Sequence, residues 1–313
     1  MNLAPIILFT YNRLYHTKEV LSSLAQNKLA KNSELYIFCD GIKDNAKNEN
    51  ITKSKDLQSY LREFSAESKD FKRINLTIKD KNIGLADSII NGISEVVKIH
   101  KKAIILEDDI VVSKAFLDYM NESLNRYEKE SKVWSISAWS YPIDSSDLGD
   151  CYFWRIPHCW GWGTWEDRWN LYERNIEWVV KNFDKKDINA INLDGYANYF
   201  NDFLLNKNGK IKTWAIFNYL ICYKFGALNL VPKIPYIKQI GFDGSGVHCG
   251  SEDFYNAKTI NEKFPISFPL EIQENKIALR RIQEFHKNLK KPIILRIKNK
   301  ILKIYNRGGG STN

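Results

Sequence analysis

Ala103-Ile104-Ile105-Leu106-Glu107-Asp108-Asp109-Ile110-Val111-Val112 is the stretch that decides how this chain folds. Its opening apolar run has no polar alternation. That is the pattern of a strand buried on both faces, and such strands belong to parallel sheets covered by helices. Three acids stand where the strand ends. Working outward, Ile6-Ile7-Leu8-Phe9, Leu35-Tyr36-Ile37-Phe38, Ile74 to Ile78 and Val133 to Ala138 read as further strands. Between them, Thr17 to Leu24, Ile51 to Phe64, Ile83 to Ile99 and Ala115 to Tyr127 carry helix-period apolar residues. Repeated strand–helix units of this length predict an α/β chain with a mostly parallel, Rossmann-like sheet and right-handed crossovers. Sheets of that kind bind ligands at the carboxyl ends of their strands. The residues that carry most weight are therefore Thr10-Tyr11-Asn12-Arg13, Asp40-Gly41, Lys79 to Gly84 and Glu107-Asp108-Asp109.

Composition narrows the class. With 313 residues, 44% hydrophobic and 27% charged, the chain reads as a soluble globular protein. No apolar run approaches the roughly 18–20 residues of a spanning helix. The first residues show neither a basic leader nor a cleavage site, so a cytoplasmic location is expected. Five cysteines without any CxxC spacing argue against a disulfide framework or a structural zinc site. The net charge of +9 is uneven: residues from His286 onward carry eight Lys or Arg and no acid, leaving the rest at +1. That excludes a nucleic-acid-binding body, which would carry its basic surface on the fold. In the tail, Ile294, Ile297, Ile301 and Ile304 fall on one helical face flanked by Lys298, Lys300 and Lys303. This is the pattern of a basic amphipathic helix lying on an anionic membrane surface, here the inner face of the cell membrane. The expected organisation is 1–140, 141–285 as the other half of the same domain, and 286–313 as the basic tail.

Three acids at the end of a buried strand repel one another unless a cation or hydrogen-bond donors offset them. Hard carboxylate oxygens suit Mg²⁺ or Mn²⁺, which can hold a diphosphate; a solvated acidic turn is the plainer reading. No glycine-rich loop follows the first strand, which excludes a dinucleotide dehydrogenase and a P-loop NTPase. Thr10-Tyr11-Asn12-Arg13 offers instead polar groups and one Arg suited to a phosphate. In the second half, Cys159-Trp160-Gly161-Trp162-Gly163-Thr164-Trp165 has two readings, packed core or indole faces stacked on a sugar ring. With few alternating strand patterns, this half is expected to pack on the sheet. Gly241 to His248 is a glycine-rich loop of the sort that closes over ligands.

Taken in order, Phe9-Thr10-Tyr11-Asn12-Arg13, Cys39-Asp40-Gly41, the Glu107-Asp108-Asp109 strand end continuing to Met120, Gly161-Trp162 and Gly241 to His248 resemble the nucleotide-diphospho-sugar transferases of GT-A fold. More narrowly, the chain is similar to bacterial sugar transferases related to the inverting N-acetylglucosaminyltransferase I and to glycosyltransferase family 2. The resemblance spans roughly Pro5 to Gly250. It implies a nucleotide-sugar-binding half in 1–140 and a donor-sugar and acceptor half in 141–285. Arg13 would meet the diphosphate, together with Thr10 and Asn12, and Asp40 would meet the uracil edge beside Asn82 and Gly84. Glu107 and Asp108 would face the ribose or donor sugar, and Asp109 would ligate Mn²⁺ or Mg²⁺. Gly161 and Trp162 would line the donor sugar, and His248 would close on the diphosphate. The implied activity moves a sugar, from a UDP-sugar such as UDP-GlcNAc, to a hydroxyl of a surface glycan or lipid-linked oligosaccharide. The family carries its catalytic base directly after a Trp like Trp214; here Ala215 stands in that place. Asp167, Glu252 and Asp253 are the other candidate bases. A nucleotidyltransferase and a catalytically silent sugar-nucleotide-binding subunit are the alternatives.

Overall fold

A computed structural model describes residues 2–244 and 253–289. His248, Glu252 and the tail helix expected beyond residue 289 lie outside the described residues. In chain order the elements are β1 (Ile6–Thr10), α1 (Leu14–Ala25), β2 (Glu34–Cys39), α2 (Asn48–Glu67), β3 (Arg73–Ile78), α3 (Leu85–His100), β4 (Lys102–Glu107), β5 (Ile110–Val112), α4 (Phe116–Arg126) and β6 (Val133–Ser137). There follow β7 (Cys151–Trp154), β8 (Trp162–Trp165), α5 (Glu166–Trp169), α6 (Ile176–Asn182), α7 (Lys185–Ile191), α8 (Phe200–Lys207), α9 (Ala215–Lys224), β9 (Leu228–Pro232) and β10 (Ile237–Gln239). A last helix runs over 276–289.

The mixed α/β architecture centres on an eight-stranded sheet in the order β3-β2-β1-β4-β8-β6-β9-β7. β1 to β4 pair in parallel, as do β6 and β9, while β8 and β7 run against their neighbours. The continuous apolar strands are explained by cover on both sides. Ile6, Leu8, Ile104 and Leu106 face one core with Val20, Leu21 and Leu24 of α1; Ile7, Phe9, Ala103 and Ile105 face the other with Ile89, Ile93 and Val96 of α3. Each such aliphatic side chain, wholly buried, stabilises the fold by about 1.5–3 kcal/mol.

The second half does more than expected. It packs on the sheet through residues such as Trp169, Trp214 and Phe217, and it also supplies β7, β8 and β9 to it, with β8 in the middle between β4 and β6. Trp162 and Trp165 are strand residues, 0% and 1% exposed. A strand inside a covered sheet has no solvent face, so its sequence shows no alternation to read. Trp162 stacks on Trp214 with ring centroids 5.4 Å apart, and Trp169 stacks on Tyr172 at 4.6 Å. Among the described residues no helix is long and apolar enough to cross a membrane.

Candidate active site

The carboxyl ends of β1, β2, β3, β4 and β6 share one edge of the sheet, joined there by the start of β8. α1 begins directly after β1, with Arg13 as its N-cap, so the strand's end and the helix's first turn are fixed together. Thr17 Oγ1 donates to the Arg13 carbonyl at 2.9 Å and lies 2.9 Å from Thr10 Oγ1, which buries Thr10 as a brace for this turn. Arg13 is thereby aimed across the sheet edge at the end of β4. Its Nη2 donates to both Asp108 Oδ1 and Asp109 Oδ2, the latter at 2.8 Å. Arg13 Nη1 is buried with no partner among the described residues.

Both aspartates are 5% exposed. Burial raises the Asp108 carboxyl above its ordinary range, with Arg13 pulling the other way and Asp109 adding to the rise. Glu107 is pushed upward too, by burial first and then by Asp109 and Asp108. Among the described residues Arg13, with a smaller pull from His16 on Asp108, is set against three acids, so this strand end could be relieved further by a cation. The opposite wall is β10, which pairs antiparallel with β5 and leads into Gly241. The Ile240 amide donates to the Asp109 carbonyl at 2.9 Å, and a Cβ on Gly241 would fall 2.4 Å from Asp109 Oδ2. Any other residue at 241 would therefore displace that carboxylate. Two steps on, Asp243 Oδ2 lies 3.1 Å from Nε2 of the buried His16.

Asp40 does something other than wait for a base. Its Oδ1 accepts from the amides of Gly41 (2.9 Å) and Ile83 (3.0 Å), and its Oδ2 accepts from the amide of Gly84 (2.9 Å). The carboxylate ties the end of β2 to the entry of α3, where Gly84 takes φ +83° as N-cap. Asn82 Nδ2 closes the same joint by donating to the Gly41 carbonyl at 2.8 Å. The backbones touch so closely that a Cβ on Gly41 would lie 2.3 Å from the Lys81 carbonyl carbon. Neighbouring Cys39 carries no nucleophile: burial, then the Asp40 and Asp108 charges, push its thiol up to about 12.

Several expected residues lie elsewhere. Trp162 is sealed under Trp214 and presents no open face to a sugar. Gly161 does reach the sheet edge, with φ +65° and Leu106, Ile110 and Ile237 around it. Asp167 follows β8, whose Trp165 pairs with Lys102 at the start of β4, so it stands at the opposite edge of the sheet, beside Arg168. Asp253 holds a turn, accepting from the Asn256 amide at 3.0 Å and from Asn256 Nδ2 at 2.8 Å. Asn12 reaches Asn50 Oδ1 at 3.5 Å. Ala215 opens α9 and is half-buried; the segment before it is pinned to the first turn of α3 by the Lys212–Asp87 ion pair.

Sequence reasoning missed His16, although it lies three residues after Arg13 on one helix face, the spacing of neighbours. It also missed an aromatic wall after β6. Trp160 meets Trp139 (5.0 Å), Tyr255 (6.0 Å) and Phe242 (5.9 Å) edge-on, and Phe242 adjoins Gly241. His158 is enclosed by Trp139, Tyr141 and Trp154, accepts from Trp154 Nε1 at 3.1 Å, and is lowered by burial to about 3.

Among the described residues no group of three His, Cys, Asp or Glu side chains gathers to cage a divalent cation. Asp108 and Asp109 nevertheless converge on a single positive nitrogen, and the donor set is hard oxygen. An Mg²⁺-like ion held by one or two carboxylates plus substrate phosphates fits that pair.

No known family model matches the chain, and no curated protein matches it. Solved structures similar in fold include S. aureus TarS, at 14% identity over 40% of this chain and 20% of that one, with TM-score 0.31. A TarS 1–349 structure gives 13% identity, 43% and 34% coverage and TM-score 0.32. The chain thus spans 20% of one TarS structure's length and 34% of the other's. The mannosyltransferase PcManGT from Pyrobaculum calidifontis, in complex with GDP-Man and Mn²⁺, shows 11% identity, 71% and 68% coverage and TM-score 0.39. The galactosyltransferase LgtC, in complex with donor and acceptor sugar analogs, shows 8% identity, 72% coverage of both chains and TM-score 0.37.

Proposed function

We propose that the chain is a metal-dependent glycosyltransferase of GT-A fold, moving a sugar from a nucleoside diphosphate to a hydroxyl of a glycan or lipid-linked acceptor with inversion. The observation that carries this reading is the convergence of Arg13, Asp108 and Asp109 at the carboxyl ends of β1 and β4. Asp109, with Asp108 beside it, would hold Mn²⁺ or Mg²⁺, which when bound neutralises charge developing on the leaving diphosphate. Arg13 supplies a fixed guanidinium for the phosphate oxygens. Glu107, on the β4 residue that pairs with Phe9, faces the ribose or donor sugar. The aromatic wall of Trp160, Tyr255 and Phe242 bounds the side from which the acceptor approaches. The basic tail would bring the chain to an anionic membrane surface carrying a lipid-linked acceptor.

A second reading is favoured by a specific observation. Inversion needs a base near the acceptor oxygen, yet among the described candidates Ala215 offers no carboxylate, Asp167 lies at the far edge, and Asp253 is committed to Asn256; Glu252 lies outside the described residues. A nucleotide-sugar-binding subunit that does not turn over fits that pattern. Calorimetric titration of UDP- and GDP-sugars, with and without Mn²⁺, into wild type and Asp109→Asn tests the common part. Mn²⁺-dependent binding is expected in wild type and is lost in the variant; equal affinities in both sink the metal reading. Turnover with candidate acceptors then separates enzyme from subunit, and in the same assays anionic vesicles should sediment the full chain but not one lacking residues 290–313.

A further inference from the structure

We propose that Arg13 is a displaceable counter-cation that makes metal and nucleoside diphosphate bind only as a pair; this rests on the metal reading above and extends it. A single nitrogen, Nη2, bonds Asp108 Oδ1 and Asp109 Oδ2 together, so the guanidinium occupies the point on which both carboxylates converge. The Gly241 backbone leaves less than a methyl group's room beside Asp109 Oδ2, the oxygen that Arg13 holds, so this carboxylate is closely confined. A divalent cation therefore takes the point shared by the two carboxylates only when Arg13 leaves it.

Arg13 cannot leave for nothing. Its side chain is 17% exposed, and a buried guanidinium without a counter-charge is strongly unfavourable. Among the described residues its buried Nη1 has no acceptor, a rare state for a group with five donors. An oxyanion brought in by the substrate answers both needs: it pairs the guanidinium through two parallel N–H groups and draws it off the aspartates. The freed carboxylates then take the cation. The coupling is reciprocal, each ligand raising the affinity of the other by the same factor. Two carboxylates with no internal cation would instead bind metal on their own.

The test measures Mn²⁺ binding from the paramagnetic resonance signal of the free ion, with and without saturating UDP or GDP. Wild type is expected to bind Mn²⁺ alone weakly and at least about tenfold more tightly with the favoured nucleotide, within the usual range of coupling. Arg13→Gln, which keeps a donor but removes the charge, should bind Mn²⁺ alone about tenfold more tightly than wild type, and the nucleotide's effect should shrink. A melting curve checks that it folds. Should it not, Arg13→Lys is measured in its place: one ammonium spans two carboxylates poorly, so affinity for Mn²⁺ alone still rises, by about threefold. Folded variants that bind Mn²⁺ alone no better than wild type overturn the proposal. If Asp109→Asn meanwhile abolishes Mn²⁺-dependent nucleotide binding, the glycosyltransferase reading survives that failure. If wild type binds no Mn²⁺ with either nucleotide, both fall.

Discussion

Asp40→Asn separates two roles that the sequence cannot tell apart. The substitution keeps the shape of the side chain and removes its charge. In wild type the two oxygens accept three backbone amides, from Gly41, Ile83 and Gly84. The Asn oxygen can keep the first two as ordinary hydrogen bonds. Its amide nitrogen then faces the Gly84 N–H, donor against donor, at the entry to α3. A hydrogen bond to a charged group contributes about 1.5–3 kcal/mol, and a buried unsatisfied N–H costs about 1–3 kcal/mol. Losing one bond outright and weakening two gives a destabilisation of about 2–4 kcal/mol, a large part of the roughly 5–15 kcal/mol that holds a domain folded. Urea unfolding followed by far-ultraviolet circular dichroism measures it. The reasoning is refuted by a loss under about 0.5 kcal/mol, the level of an inert surface change, accompanied by a tenfold drop in nucleotide affinity. Asp40 would then be a base contact and not a strut.

Two further outcomes are expected. His158 is held neutral by burial, at about 3 against an ordinary value near 6.5. The unfolded chain therefore takes up the proton first as pH falls, and the stability present above pH 6.5 drains away toward pH 3. Between pH 7 and 5, wild type should lose on the order of 1–2 kcal/mol more than His158→Phe in urea unfolding; equal losses would disprove the assignment. Ala215→Asp places a carboxylate at the first residue of α9, a position the helix dipole favours. Single-turnover transfer should accelerate by at least about a hundredfold, the low end of general-base catalysis, and an unchanged rate means that position 215 does not hold the base.

The first half of the fold was legible because each of its strands is an unbroken apolar run bounded by helix-period segments. β1, β2, β3, β4 and β6 all fall where Ile6, Leu35, Ile74, Ala103 and Val133 place them. β8 was not legible. Trp162-Gly163-Thr164-Trp165 is buried on both faces and rich in indoles, which a sugar-binding surface would also show. At the site, adjacency in sequence revealed Asp108 and Asp109, and the turn after β1 revealed Arg13. That the three form one ion cluster depends on the parallel register of Phe9 with Glu107, which no local pattern encodes. Asp40 was found by position, but that its carboxylate accepts three backbone amides was not legible, because those amides come from the distant turn before α3 as well as from its neighbour. Asp167 stands at the other edge because β8 reverses direction, and the sequence around Trp162 to Trp165 shows no strand pattern from which that reversal could be read.

That reversal also sets an order on how the molecule can be assembled. β4 is complete by Glu107 and β6 by Ser137, yet the strand that joins them begins only at Trp162, and β9 follows at Leu228. As the chain emerges, β3-β2-β1-β4 can close first as a four-stranded parallel unit between α1, α2 and α3. β4 then presents a bare edge, and β6 has no partner on either side. Unpaired strand edges of this kind invite pairing with other chains. The Arg13–Asp108 cluster sits on that early unit, whereas Gly241, which confines Asp109, arrives only after β9 and β10. The acidic strand end is thus built early and enclosed late.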